Sequence, residues 1–502
     1  MNDRDLLSAA RRLLRELDDE RALRANPLLC HLRKAAIGHD RLRAHILRAL
    51  AQLDPDSRTG PESARRARQY TILLRCDIER APHKDVAATL GLSRRQFYRD
   101  RRAALLAFAT NVRAPQTLMR IETETHDARL LYIETLRDRG RHDLVWRESL
   151  RALPSLKGHP REIEIWTVAA EAARLLGNVR KSREVIETMR AVEATSPHTY
   201  LRRATRMRIA ICEIALDWIE ADFTSAQRRL EEAMRACGDE RTLRGRDATL
   251  FGILLYYGAR LALDTGDWPV ASALTQRLEH IWQRSEVIHA AAYPHQLRGL
   301  LAMQGDGDHA RAVAELNNAL AISQTYHAFP SLALSSAELG LAIAPIDVIT
   351  ADRYIRYGLA IARDACGYDD FAALAMTAMR KSLPHIGAEE ALEAVEEVRT
   401  RSPLFRRADL FTRLTESTAL LHAGSEETLS GDELARELEQ ASLLPAAAEA
   451  YLVSAEALLR ERREMAARRS LKRAGELIVH CGDAATRDRA LALGARLSLA
   501  LQ

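Results

Sequence analysis

From residue 116 onward, helix-forming segments of about 15–20 residues alternate with short breaks at intervals of about 40 residues. Many breaks contain glycine or aspartate, at 140–142, 177–178, 221–222, 266–268 and 307–309, and less regular ones follow near Pro345–Asp347, Gly387, Gly431 and Arg463. A single helical hairpin cannot bury its own apolar face and must stack on a neighbour. The pattern therefore predicts an α-solenoid of helical hairpins, with an irregular helical bundle as the alternative.

The composition favours an all-α fold. Ala, Leu, Arg and Glu dominate, and aromatic residues make up only 5% of the chain. The dominant residues lose little side-chain freedom in a helix. Because 502 residues are too many for one hydrophobic core, we expect a repeat array or several domains.

One stretch of the repeat region carries a family motif. Residues 307–322, GDHARAVAELNNALAI, place a Gly-Asp turn before a helix with small residues at Ala312 and Ala319 and with Leu316 between them. This stretch resembles the second half of a tetratricopeptide repeat (TPR), and residues 266–278 and 177–189 match it in part. The resemblance implies a TPR-like α-solenoid with a concave binding surface, although several intervals exceed the family's length of about 34 residues.

A second motif precedes the repeats, at residues 83–105, HKDVAATLGLSRRQFYRDRRAAL. It predicts a short amphipathic helix, a turn at Gly91, where positive φ carries no steric cost, and a second helix capped by Ser93. Ala87 is small enough for the two helices to cross closely. This arrangement is typical of a helix-turn-helix. The core face of the second helix is expected to comprise Phe97, Ala104, Leu105 and Phe108.

The segment 73–105, LLRCDIERAPHKDVAATLGLSRRQFYRDRRAAL, resembles region 4 of sigma-70-type factors and LuxR-type DNA-binding domains. The resemblance implies that the second helix enters the major groove of double-stranded DNA. Phe97 departs from the smaller aliphatic residue usual there, and the core-binding parts of a sigma factor are not recognisable in the first 70 residues. We expect an N-terminal helical segment (1–60), a helix-turn-helix DNA-binding domain (61–115) and a TPR-like helical repeat domain (116–502).

The candidate DNA-binding residues lie at the start of the two helices of this motif: His83, Lys84, Ser93, Arg94, Arg95, Gln96, Tyr98, Arg99 and Arg102. The outward arc expected to face base edges comprises Arg94, Arg95, Tyr98 and Arg99. Arginine can pair with guanine, and Gln96 could contact adenine if it turns outward. Phosphate contacts are expected from Arg101, Arg102, His83 and Lys84.

Charge is unevenly distributed along the chain. The first 113 residues contain 24 Lys and Arg against 14 Asp and Glu, whereas the rest contains 50 against 55. A basic head on a mildly acidic body suggests that the head binds a polyanion. The alternatives are that arginine is abundant on every surface of the chain, or that the charged helix face is simply solvated.

The repeats offer a second candidate site, for a ligand. Arg202, Arg203 and Arg206 lie close together in YLRRATRMR (200–208), together with Arg208, and could hold a carboxylate or an acidic peptide. Tyr256, with Trp166 and Tyr257, could supply an apolar wall. The alternative is that these aromatic residues belong to the core and that the arginines are solvated.

Several classes of function have no motif in this chain. A phosphate-binding GxxxxGK[ST] loop, an HExxH motif and CxxC pairs are all missing, and no nucleophile or general base stands out. We therefore expect no enzyme, no cofactor and no metal site. The six cysteines are expected to be reduced thiols of a cytoplasmic protein, because neither a signal peptide nor a membrane span is recognisable.

These features favour a bacterial-type transcription regulator that binds double-stranded DNA through the head. Its repeats would sense a peptide, protein or small-molecule effector, or hold a homodimer together. A second hypothesis is a TPR-type interaction scaffold whose basic head docks an acidic partner or RNA polymerase. A third is an enzyme whose site is assembled from distant residues of the repeats. No membrane partner is expected.

Overall fold

All of the regular secondary structure among the described residues is helical, and no strand occurs there. The computed structural model describes residues 3–17, 19–32, 61–113, 121–159, 161–195, 202–282, 291–401, 405–425 and 431–499, with 42, 43, 46, 47, 49, 50 and 53. None of the described helices has an apolar stretch long enough to cross a bilayer. The all-α class is confirmed.

The chain divides into two compact units. The first comprises residues 1–136 with 154–156, and the second comprises residues 137–153 with 157–502. The domain boundaries at residues 60 and 115 stay predictions. The first unit contains five helices among its described residues before residue 114: α1 (Asp3–Arg15), α2 (Glu20–Ala25), α3 (Pro61–Leu73), α4 (His83–Thr89) and α5 (Arg94–Arg113). A π-helical turn, Leu74–Ile78, extends α3.

Helix α5 forms the core of the first unit together with α1. The apolar stripe of α1, at Ala10, Leu13 and Leu14, is buried, and α1 contacts α5. The predicted core face of α5 is confirmed, since all of its members are buried: Phe97, Ala104, Leu105 and Phe108. This packing leaves the other side of the first turns of α5 to solvent.

The two helices of the second motif occur where the sequence predicts them. Gly91 has φ of 63° between α4 and α5. The Ser93 hydroxyl accepts a hydrogen bond from the Gln96 amide at 3.2 Å, so Ser93 caps α5 as expected. Val86 of α4 and Phe97 of α5 share a buried cluster with Ile72 and Cys76, so the larger Phe97 fits this core.

Helix α6 (Ile121–Asp138) belongs to the first unit up to Leu136, and α7 (His142–Leu156) belongs to the second unit up to Leu153. The rest of the second unit is an array of helices. Hairpins of two contacting helices follow: α8 (Glu162–Leu175) and α9 (Val179–Thr195), α10 (Arg202–Ile219) and α11 (Phe223–Cys237), α12 (Gly245–Thr265) and α13 (Trp268–Trp282), α14 (Ala292–Leu300) and α15 (His309–Tyr326), α16 (Phe329–Ile343) and α17 (Val348–Ala365), α18 (Tyr368–Ile386) and α19 (Ala388–Arg401), α20 (Arg406–His422) and α21 (Gly431–Gln440), α22 (Leu444–Arg460) and α23 (Glu464–Cys481). Helix α24 (Ala484–Leu499) comes last. The starts of the hairpins at 162, 202, 245, 292, 329, 368, 406 and 444 confirm the interval of about 40 residues.

Two of the turns inside the hairpins have the same structure, a left-handed glycine followed by an aspartate that caps the next helix. Gly266 ends α12 with φ of 79°, and the Asp267 side chain accepts a hydrogen bond from the Val270 amide at 3.2 Å. Gly307 has φ of 71°, and Asp308 caps α15 in the same way. A left-handed residue that stops one helix, followed by an acid that caps the next, makes a tight reversal. The Gly-Asp motif is thus confirmed as a turn.

The array closes on itself. The first helices of the hairpins line its inner side, and distant ones meet, because α8 contacts α18, α10 contacts α20 and α12 contacts α22. Gly266, at the end of α12, permits the approach to α22, since a Cβ atom there would lie 3.0 Å from Cγ of Pro445 and 2.2 Å from the Cβ of Cys481 in α23. Closure of the inner helices leaves a cavity between them.

Candidate nucleic-acid face and effector cavity

The first turns of α5 present a basic face to solvent, made of Arg94, Arg95, Tyr98, Arg99 and Arg102. The side chains of Arg94 and Arg95 form no hydrogen bond or ion pair with any residue that the structure describes. Tyr98 is 45% exposed. The outward arc expected from helical spacing is therefore available for contact with another molecule.

Gln96 lies beside the basic face but is held along the helix. Its amide nitrogen donates to the Asp100 carboxylate at 2.8 Å, and its amide oxygen accepts from the Arg99 guanidinium. Asp100 is buried. Contact between Gln96 and an adenine therefore requires these bonds to break or to rearrange.

The residues of α4 differ in how far they reach solvent. Lys84 is exposed, whereas His83 is half-buried, with its ring centroid 5.6 Å from that of Phe97 and 5.9 Å from that of Tyr98. Burial, aided by the charge of Arg101, lowers the pKa of His83. His83 therefore packs as a neutral ring, and it is less suited to contact a phosphate than the sequence predicted.

The expected phosphate contact of Arg101 is wrong. Arg101 is only 6% exposed, and its guanidinium lies 2.6 and 2.7 Å from the two carboxylate oxygens of Asp77. The physical reason is helical periodicity, because position 101 follows Phe97 by four residues and falls on the core face. Arg102, one position further, is exposed.

Asp77 is the centre of a buried cluster that sequence reasoning missed. Its side chain is fully buried, and the guanidinium groups of Arg11 and Arg15 approach it to 3.7 and 3.3 Å, in addition to Arg101. Arg80 donates to the backbone oxygen of Arg15 at 2.7 Å. The Asp77 cluster therefore joins α1 to α5. The sequence signal for it was a single acidic residue, Asp77, between the apolar residues Cys76 and Ile78.

The inner helices of the second unit enclose a cavity of about 260 Å³. Five Trp, Tyr and Phe residues from four inner helices line it: Trp218, Tyr256, Tyr257, Tyr293 and Phe411. The ring centroids of Tyr256 and Tyr293 are 4.5 Å apart. The prediction that Tyr256 and Tyr257 form a wall of a concave site agrees with this placement, whereas Trp166 belongs to a separate cluster with Val185.

The arginine run of α10 does not join Tyr256 in this cavity. Arg202 is exposed at the first residue of the helix, and it does not line the cavity. The Nε atoms of Arg203 and Arg206 bond to Asp247 at 3.0 Å and to Glu193 at 2.9 Å. The expectation of one ligand site built from both groups is wrong, because α10 turns Trp218 toward the cavity instead.

Buried arginines paired with acids line the cavity. The guanidinium of Arg407 lies 2.9 Å from the Asp264 carboxylate and stacks over the Trp218 ring at 4.3 Å. Arg260 and Glu338 approach to 3.1 Å, and Arg174 and Asp370 approach to 3.8 Å. Sequence reasoning missed these pairs. The sequence signal for such a pair is a single charged residue in an otherwise apolar helix, as Glu338 is in FPSLALSSAELGLAI.

Asp369 is a buried carboxylate beside this cavity. It is 6% exposed, and neither of its oxygens accepts a hydrogen bond from a residue within the described ranges. The nearest cation is Arg407, 4.0 Å away, and Asp370, Arg174 and Asp264 are its other charged neighbours. Burial raises the pKa of Asp369 to about 7, against the opposing effect of Arg407.

The stability of the second unit is expected to depend on the ionisation of Asp369. Because its pKa is raised on folding, its contribution is complete at low pH and is lost as pH rises through about 7. Its place in the first turn of α18 favours the charged form and reduces the effect. Relative to wild type, Asp369→Asn should gain about 2 kcal/mol in free energy of unfolding between pH 5 and pH 8. Urea unfolding at both pH values measures this, and an equal pH response of the two proteins would contradict it.

The polar groups of the cavity suit binding better than nucleophilic chemistry. Burial raises the pKa of the Cys366 thiol, so it stays protonated. Burial also lowers the pKa of His142, whose Nε2 donates to the Ala365 oxygen at 2.9 Å. In the described ranges no group of three His, Cys, Asp or Glu side chains is placed to hold a metal ion.

Comparison with known proteins adds information on the fold. No protein-family model and no curated protein matches the sequence. Among solved structures, the chain is similar to the crystal structure of a Rap protein complexed with competence and sporulation factor, with a TM-score of 0.53 and 12% identity. The match covers 73% of this chain and 99% of the Rap chain. At this identity the similarity concerns the fold alone, and it confirms the TPR-like helical solenoid.

Proposed function

We propose that the chain is a DNA-binding transcription regulator whose basic face contacts duplex DNA and whose TPR-like repeats bind an effector. The observation that carries this proposal is the pair Arg94 and Arg95, exposed on the first turn of α5 without an ion pair among the described residues. The helix that presents them follows a short helix and a glycine turn, as in a helix-turn-helix.

The position of these arginines supports contact with an anion. The N-terminus of a helix carries partial positive charge, so cations in its first turn are destabilising. Here two adjacent arginines occupy that turn, and the four residues after Ser93 include no acid. Phosphate and base acceptors of DNA would offset this cost and would release counterions from the duplex.

The cavity supports the effector half of the proposal. It combines aromatic walls with a few buried polar groups, as is common in ligand sites. The Rap protein of similar fold was solved in complex with competence and sporulation factor. By analogy we propose that the inner helices hold a peptide, protein or small-molecule effector. A binding role is proposed in place of catalysis, because three acids of the cavity, Asp264, Glu338 and Asp370, are paired with arginines.

A homodimer is part of the proposal, because one small recognition domain alone binds DNA weakly and a two-fold pair contacts two half-sites. The second candidate function is a scaffold whose basic face docks an acidic protein or RNA polymerase. Tyr98 favours this alternative, since an exposed tyrosine among arginines is a common composition for a protein interface.

DNA binding is tested with the full-length chain on duplexes selected from a random pool by the wild type. The double variant Arg94→Ala/Arg95→Ala is expected to weaken binding by about 30-fold or more, since each of the two lost contacts to a base or phosphate costs about 1–3 kcal/mol. The control, Arg180→Ala/Arg228→Ala, removes the same charge from exposed sites of the repeats and should change the Kd by less than about twofold.

Two results would favour the scaffold instead. One is a wild-type protein that enriches no sequence from the pool, and the other is equal weakening by both double variants. Capture of RNA polymerase or an acidic protein by the wild type, lost in Arg94→Ala/Arg95→Ala, would then identify the occupant of the basic face.

A further inference from the structure

The cavity of the second unit has more acids than its arginines can pair with. Each arginine at its wall already has a carboxylate partner at the wall, in the pairs Arg137–Asp138, Arg174–Asp370, Arg260–Glu338 and Arg407–Asp264. Glu171 also lines the cavity, is half-buried, and forms no hydrogen bond or ion pair with any described residue. Asp369 shares Arg407 with Asp264. The wall therefore carries surplus negative charge, which is unusual for a half-buried surface.

Among the described residues that line the cavity, every arginine already pairs with another acid, so none is left to balance Glu171 alone. Tyr257, Tyr293 and His142 line the same cavity as Glu171. Burial raises the pKa of both tyrosine hydroxyls and lowers the pKa of His142, so all three groups are neutral near pH 7. Arg174, the neighbouring cation, is paired with Asp370. Glu171 thus faces neutral rings and the open cavity.

A carboxylate surrounded by aromatic rings attracts one chemical class above others. Its charge favours a cation, and the attraction is larger in a partly desolvated cavity than in water. Ring faces of tyrosine and tryptophan add a further attraction for ammonium and guanidinium groups and bury an apolar stem. An anionic ligand would instead meet uncompensated repulsion from Glu171.

We propose that this cavity binds an organic cation, an ammonium or guanidinium group on an apolar stem, with Glu171 as its counter-ion. The stem lies among Trp218, Tyr256, Tyr257 and Tyr293. The volume of about 260 Å³ corresponds to about eight waters, which admits one basic side chain or a small diamine and excludes a folded domain. This inference rests on the effector role under Proposed function and states the chemistry of the effector.

The same chemistry has two sources, a basic residue of a short peptide and a free diamine. Calorimetric titration of the full-length chain distinguishes them with two probes, acetyl-Ala-Lys-Ala-amide and 1,5-diaminopentane. A third probe, the peptide with norleucine in place of lysine, keeps the stem and removes the charge. Tighter binding of the lysine peptide identifies a peptide source, and tighter binding of the diamine identifies a free amine.

The variant Glu171→Gln keeps the shape of the side chain and removes its charge, and it should weaken binding of the better cation by about tenfold or more. The matched control is Glu184→Gln, the same change at an exposed site on α9 outside the cavity, and it should leave the Kd within about twofold. The norleucine peptide should bind wild type at least about tenfold more weakly than the lysine peptide.

The inference is overturned if neither cation binds with a Kd below about 10 mM, if norleucine replaces lysine without loss, or if Glu171→Gln binds like wild type. The comparison of the lysine and norleucine peptides uses wild-type protein only. It therefore tests whether the cavity prefers a cation even if Glu171→Gln misfolds. The titration is independent of DNA. Arg94→Ala/Arg95→Ala should bind the cation normally, so failure of DNA binding and failure of cation binding are separate results.

Discussion

Replacing Asp77 with alanine is expected to destabilise the first unit by about 3–5 kcal/mol, the range for breaking a buried ion pair by removing one partner. Asp77 is fully buried, and its two oxygens bond to Arg101, which is itself buried. Without the carboxylate, Arg101 remains as an uncompensated charge on the core face of α5. Arg11 and Arg15 lose their common partner on α1 as well. The contact between α1 and α5 should therefore loosen.

Hydrogen exchange of the full-length chain, followed in peptides from residues 94–113, measures this change locally. Protection there should fall by about 10²–10⁴-fold, whereas Asp85→Ala, at an exposed aspartate of α4, should cost less than about 1 kcal/mol. The double variant Asp77→Ala/Arg101→Met should recover part of the loss, because it removes both buried charges. Unchanged exchange in Asp77→Ala would show that the cluster does not hold α5 in place.

The second large effect is expected from Arg407→Met, with a loss of about 3–5 kcal/mol in the second unit. Arg407 is 4% exposed and connects four inner helices. It bonds to Asp264 of α12, lies 4.0 Å from Asp369 of α18 and stacks over Trp218 of α10. Methionine fills similar volume but leaves two acids without their cation. The closure of α10 against α20 should weaken most.

The neighbouring residue provides a matched control. Arg406 is exposed, so Arg406→Met makes the same substitution one position away and should change stability by less than about 0.5 kcal/mol. Urea unfolding, with hydrogen exchange in α10, α12 and α20, compares the two variants. Arg407→Lys should fail to restore stability, because a lysine ammonium group cannot form a bidentate pair with a carboxylate. It also lacks the planar surface with which a guanidinium stacks on an indole ring. Equal midpoints for the two methionine variants would contradict the role given to Arg407.

The helix-turn-helix segment shows how far sequence reasoning reached. The turn at Gly91, the cap at Ser93 and the core face of α5 follow from local preferences and helical periodicity, and all three are present. The same periodicity places position 101 on the core face, yet Arg101 was assigned to phosphate by its charge alone. A buried arginine becomes predictable only when its partner is known, and Asp77 lies 24 residues away.

The cavity shows where sequence reasoning stopped. The position of Tyr256 and Tyr257 at the cavity wall agrees with the predicted concave wall, whereas the arginine run of α10 does not line the cavity. The arginines that do line the cavity come from four different helices: Arg137, Arg174, Arg260 and Arg407. Nothing local distinguishes them from solvated arginines elsewhere in the repeats.

The sequence by itself determined the all-α class, the interval of the hairpins, the Gly-Asp turns and the exposed arc of α5, because each depends on residues within a few positions of one another. Only the tertiary structure decided which charges are buried and paired, and where the cavity lies. Arg407 and Asp264 are 143 residues apart, and they meet because many small rotations between hairpins add up until the inner helices close on one another. Those rotations come from side-chain packing across neighbouring hairpins, which periodicity along one helix does not encode.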